Sequence, residues 1–122
     1  MRNINLRYVE ETYAKDKTLQ SFSLHYPDTF NFGYDIVDDI AVNDPTRRAM
    51  VWCNPEGEEH VFTFADMKTW SDKTANFLKS LGIGKGDRVM VVLKRHYHFW
   101  FTILALHKLG AIIIPATNLL VE

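Results

Sequence analysis

The densest reactive chemistry in the chain is the run Lys94, Arg95, His96 and His98, cations and imidazoles able to hold an anion or a metal. It follows Arg88 to Leu93, whose apolar stretch Val89 to Val92 reads as a strand, so it stands at the carboxyl end where parallel α/β sheets bind ligands. His96 and His98 are two residues apart, which on a helix aims them in different directions, and no Cys or carboxylate cluster joins them. The expectation is a solvated, basic strand end. Gly82-Ile83-Gly84-Lys85-Gly86 offers backbone N–H groups and an ammonium to a phosphate. Phosphate loops run from a strand into a helix, whereas this one leaves a helix for a strand, so it reads as a plain turn. Glu56, Glu58 and Glu59 surround a predicted hairpin tip and read as water-facing. Cys53 has no activating base and is not assigned as a nucleophile. His25, His60 and His107 are scattered and build no Ser-His-Asp arrangement; His107 is expected to pack or face solvent. Trp52, Trp70 and Trp100 are expected in the core or an interface. No catalytic, cofactor-binding or metal-binding residue is assigned.

The elements that would position these groups follow from spacing. Leu6, Val9 and Tyr13 stand at helical intervals before Lys15-Asp16-Lys17, so residues 1–29 read as an arm or short surface helix. Asn31 is an N-cap ahead of Phe32, Ile36, Val37 and Ile40, a helix of about three turns stopped by Asn43-Asp44-Pro45. Ala49 to Cys53 and Val61 to Phe64 flank Asn54-Pro55-Glu56-Gly57 and predict a β-hairpin. Thr63 with Asp66 resembles a capping box opening a helix with the stripe Met67, Trp70, Thr74, Phe77, Leu78 and Leu81, ended by Gly82. Arg88 to Leu93, the helix Tyr97 to Leu109 closed by Gly110, and Ala111 to Ile114 form a strand-helix-strand crossover with parallel strands. The fold class is α/β: a β-hairpin, a helix, then a parallel βαβ unit in residues 30–122. Both strands of that unit are apolar enough for cover on two faces, which this chain does not supply, and no helix follows at Leu119-Leu120-Val121-Glu122. The sheet reads as an incomplete portion of a larger domain.

The 122 residues are 47% apolar and 24% charged, enough for one core. Fourteen Lys plus Arg against fifteen Asp plus Glu give a net charge of −1, which speaks against a nucleic-acid partner. The longest apolar run, Phe99 to Leu106, falls short of the ~20 residues of a membrane span. A single cysteine, and polar residues among Met1 to Glu10 where a signal peptide needs an apolar run, point to the cytoplasm.

Several motifs in one order resemble the start of the adenylate-forming (AMP-binding) enzymes. They are Phe62-Thr63-Phe64-Ala65-Asp66-Met67, Ala75-Asn76-Phe77-Leu78, Gly86-Asp87-Arg88-Val89, and Leu106-His107-Lys108-Leu109-Gly110-Ala111 leading to Ile114-Pro115. Phe64, Asp66 and Met67 depart from the family's first core motif, and His107 and Leu109 from its second. Phe30-Asn31-Phe32 and Ala49 to Asn54 look most like medium-chain acyl-CoA synthetases. The resemblance implies that the parent enzyme activates a small-molecule carboxylic acid with ATP and Mg, then transfers the acyl group from AMP to CoA. It places the phosphate loop, the ribose-binding carboxylate and the catalytic Lys beyond Glu122, so no functional residue carries over and no cofactor is expected on this chain. Two roles that can both hold follow, a synthetase scaffold segment and a stand-alone module forming a homo-oligomer through exposed apolar strands; a third, a small nucleotide binder using the Lys94 to His98 edge, rests on the ligand-edge argument alone.

Overall fold

The computed structural model describes residues 7–119. The chain divides into two compact units, Met1–Phe30 and Asn31–Glu122.

The described part of the first unit is an antiparallel hairpin, β1 (Val9–Tyr13) and β2 (Leu19–Leu24). Of the expected arm or short surface helix, this corrects the helix alternative. Val9 and Tyr13 fit either period, and the deciding signal is the turn. Asp16 Oδ1 accepts from the Thr18 backbone N–H at 3.0 Å and from its hydroxyl at 2.7 Å, while Lys17 takes a left-handed φ of 68°. Leu6 lies outside the described residues.

The second unit begins with a helical segment that runs as a π-helix over Gly33–Asp38 and continues without a break into α1 (Asp39–Asn43). Asn31 caps it as expected, its Oδ1 accepting from the N–H groups of Gly33 at 3.0 Å and Tyr34 at 3.4 Å. The π register was not foreseen. Next come β3 (Arg48–Cys53) and β4 (Glu59–Thr63), the predicted hairpin. At its tip the Gly57 N–H returns to the Asn54 carbonyl at 3.1 Å with Gly57 at a φ of 85°.

Thr63 ends β4 and caps α2 (Phe64–Ser80) with no linker between. The capping box is complete: the Asp66 N–H donates to Thr63 Oγ1 at 3.2 Å, and the Thr63 N–H donates to Asp66 Oδ2 at 2.8 Å. Helix α2 ends in a Schellman motif, with Gly82 N–H on Lys79 O at 3.0 Å and Ile83 N–H on Leu78 O at 3.2 Å. Its buried side is Met67, Ser71 and Ala75; Trp70 and Phe77 of the expected stripe are about half exposed. Met67 packs with Phe101 and Leu104, Ser71 Oγ accepts from Lys108 Nζ, and the Trp70 ring stacks on Phe101 with centroids 6.0 Å apart.

β5 (Arg88–Val91), α3 (His98–Leu109) and β6 (Ile112–Pro115) form the expected crossover with parallel strands. Gly110 ends α3 in a second Schellman motif, at φ 69°, with Ala111 N–H on Leu106 O at 3.0 Å. Val91 is buried, while Met90, Ile112 and Ile114 on the opposite face are exposed. The strands thus have the composition of two-sided cover and one covered side. The core is Val37, Met67, Phe101 and Leu104, with Met50, Phe62, Phe64 and Tyr97 packed around it.

Candidate functional site

The basic run stands where the sequence placed it. Lys94, Arg95, His96 and His98 are exposed beyond the end of β5, and the rings of His96 and His98 lie 6.4 Å apart. Arg95 adopts a φ of 29°, uncommon outside glycine, and its carbonyl accepts from Trp52 Nε1 at 2.6 Å. That bond fastens the turn to the β3–β4 hairpin. On one side lies a cleft of about 390 Å³ lined by Arg95, His96, Phe99, Trp100, Pro115 and Thr117.

The glycine loop presents no phosphate cradle. The Gly84 N–H donates to Asp87 Oδ2 at 2.8 Å and the Gly86 N–H to the Gly110 carbonyl at 3.0 Å, so those donors close the turn against the end of α3. Glu58 accepts from the Asn54 side-chain amide at 3.1 Å and contacts His60 Nε2 at 2.7 Å, while His60 lies beside Trp52 and Tyr97. Cys53 is free and exposed. In the first unit, His25 contacts Glu10 and Ser23. His107 is half-buried, its Nδ1 has no partner among the described residues, and burial lowers its pKa below the ordinary histidine value. Trp70 and Trp100 are about half exposed, so of the core or interface placement expected for them the core half does not hold within this chain.

The strongest polar constellation was not singled out from the sequence. Lys108 lies on the core side of α3 with its side chain 1% exposed. Its ammonium donates to Asp38 Oδ1 at 2.8 Å, Ser71 Oγ at 2.9 Å and Asp72 Oδ1 at 2.6 Å, using all three hydrogens. Lys68 completes the cluster, 2.6 Å from Asp72 Oδ2 and 3.5 Å from Asp38 Oδ2, and the Tyr34 ring lies 5.6 Å from the Lys108 ammonium. Two carboxylates and two ammoniums sum to zero, as a buried site requires. Burial alone pushes the Asp72 carboxyl up, yet Lys108 and Lys68 outweigh it and hold it below its ordinary value. The Asp72 hydrogen bond, against the opposing effect of burial, raises the Lys68 ammonium above its ordinary value. The cluster joins the π-helical segment, α2 and α3; with its ammonium fully engaged it clamps helices and has no donor left for a substrate. Lys108 is the one Lys, Arg, Asp or Glu in α3, and that was the sequence signal that could have found it.

Among the described residues, no group of three or more His, Cys, Asp or Glu could hold a metal ion. The family described as AMP-binding enzyme matches residues 37–122. The chain belongs to that family. Among AMP-binding relatives, mitochondrial acyl-coenzyme A synthetase ACSM3 of Homo sapiens is 33% identical over 109 residues, 84% of this chain and 19% of the relative. Mitochondrial ACSM5 of Rattus norvegicus is 34% identical over 102 residues, 79% of this chain and 18% of the relative. The chain therefore spans about a fifth of the length of these curated relatives. Fatty acid AMP ligase from Legionella pneumophila superposes with a TM-score of 0.68 at 21% identity, covering 74% of this chain and 16% of that one. The N-terminal subdomain of Klebsiella oxytoca NpsA does so at 0.64 and 26% identity, covering 72% and 22%. The chain is thus an α/β member of the AMP-binding enzyme family whose fold matches the N-terminal subdomain of NpsA. Among the described residues, no helix is long and apolar enough to cross a membrane.

Proposed function

We propose that this chain is the N-terminal scaffold segment of an ATP-dependent acyl-CoA synthetase and supplies no catalytic group of its own. The parent enzyme would join a medium-chain carboxylic acid to CoA through an acyl adenylate, with MgATP as co-substrate. The observation that carries the reading is the family match over residues 37–122 in a chain spanning about a fifth of relatives named acyl-coenzyme A synthetases. The donor set supports it. The glycine-loop donors are spent in the turn and the buried ammonium is held by two carboxylates, so neither is left to contact a phosphate.

The test is ATP–pyrophosphate exchange by the purified 122-residue chain with straight-chain fatty acids. No exchange is expected. Exchange that co-elutes with the chain through a second chromatographic step would overturn the reading.

A second reading, a self-pairing module, rests on the exposed Met90, Ile112 and Ile114 of the parallel pair. Light scattering across a concentration series tests it: a discrete dimer supports it and a monomer throughout removes it. For the compartment, a free, exposed Cys53 fits the reducing cytoplasm, whereas the relatives above are mitochondrial by name. Fluorescence localisation of the full natural protein decides between them.

A further inference from the structure

The segment Asn31–Asp38 is fastened to neighbouring residues of α3 at its two ends. At its start, Asn31 Nδ2 donates to the His107 carbonyl at 2.7 Å while its Oδ1 caps the helix. At its end, Asp38 accepts from the Lys108 ammonium at 2.8 Å. Between these anchors the backbone takes the rare π-helical register, and the Asp39 N–H is shared between the Ile36 carbonyl and the Tyr34 carbonyl, the latter five residues back. A π turn amounts to one extra residue in an α-helix, and one residue is about 100° of rotation. In α-helical register the same residues would turn Asp38 away from Lys108 or Asn31 away from His107. The start has no room to slide, because a Cβ on Gly33 would stand 3.0 Å from Lys108 Cγ and 3.4 Å from the Leu104 carbonyl.

We propose that Lys108 is a register lock: its contact with Asp38 holds Gly33–Asp38 in the π-helical form, and loss of that contact returns the segment to α-helical register. Asp38 sits at the junction with α1, so the lock also sets the rotation at which Ile40 and Ala41 enter the core. Lys68 is a bystander in this respect. It stands 3.5 Å from Asp38 against the 2.8 Å of Lys108, and its short contact is with Asp72.

Couplings measured across hydrogen bonds by NMR identify the carbonyl that accepts from each amide, and they test the lock in the full 122-residue chain. In the natural sequence the Asp39 amide, shared between the Ile36 and Tyr34 carbonyls, couples to the Tyr34 carbonyl. In Lys108→Met the coupling is expected to move to the carbonyl of Asp35, four residues back, while in Lys68→Met it stays on Tyr34. A folded Lys108→Met that keeps Asp39 on Tyr34 overturns the proposal, as does a Lys68→Met that moves it. Should Lys108→Met fail to fold, Asp38→Ala removes the same contact, leaves Lys108 paired with Asp72, and decides by the same reading.

Discussion

Replacing Lys108 by Met keeps most of the side-chain volume and removes the ammonium from between Asp38 and Asp72. Breaking a buried ion pair from one side costs about 3–5 kcal/mol, because the remaining charge stays buried without its partner. Here the loss is cushioned: Asp72 is 39% exposed and keeps Lys68 at 2.6 Å, and Asp38 keeps a weaker contact with Lys68 at 3.5 Å. The Ser71 hydroxyl also loses a donor in a site with no exposure. These adjustments place the expected destabilisation near the lower end, about 3 kcal/mol. With a urea slope of about 1.5 kcal/mol/M, the unfolding midpoint followed by circular dichroism should fall by about 2 M. The double variant Asp38→Leu with Lys108→Met leaves an apolar pair in place of an orphaned carboxylate and should recover more than half of that loss. A midpoint shift below about 0.5 M in the single variant, or a double variant no more stable than the single, would refute the clamp.

Asp66 is held below the ordinary carboxylate value of 3.8 by the Thr63 hydroxyl and backbone N–H, so its contribution is complete above that value and fades as pH falls through its lowered folded value. Asp66→Asn should therefore cost about 1 kcal/mol at pH 6 and nothing measurable near pH 2, read from paired urea titrations. Lys68 is raised above its ordinary 10.5, so its contribution is complete below that pH and disappears as pH rises through the raised value; Lys68→Met should flatten the alkaline fall in stability. Gly33→Ala places a Cβ 3.0 Å from Lys108 Cγ and 3.2 Å from Asn31 Oδ1, and the crowding should outweigh the helix-propensity gain, lowering stability by about 1 kcal/mol in thermal melts. Trp52→Phe keeps an aromatic ring and removes the donor to the Arg95 carbonyl, so hydrogen exchange over residues 94–97 should quicken about tenfold, equivalent to about 1.4 kcal/mol.

What the sequence made legible was local. Asn31, the Thr63–Asp66 box, Gly57, Gly82 and Gly110 each declare a boundary through backbone chemistry within a few residues, and the structure places a boundary at each. The parallel crossover was equally open to reading, since short connections leave it one handedness. Four features stayed hidden for four reasons. The β1–β2 hairpin has apolar residues that fit both periods, so its strand character rests on the Asp16–Thr18 contact. The π register is one inserted residue between two tertiary anchors, which no periodicity records. The buried face of α2, Met67, Ser71 and Ala75, is settled by tertiary packing that the spacing of its apolar residues does not record. The Lys108 cluster is assembled from positions up to 70 residues apart, and in the sequence only a single Lys in the last turn of a mostly apolar helix marks it.

Thr63 belongs at once to the last rung of β4 and to the cap of α2. A strand and a helix that share a residue have no slack between them, so a residue inserted there would throw the helix off its seat by the rotation of one helical step. The Asn54 to Glu58 tip is the opposite case: it is closed by its own hydrogen bonds and open to water. Spectroscopic labels and affinity sequences belong at that tip, while the Thr63 junction has to be left whole in any engineered version of this chain.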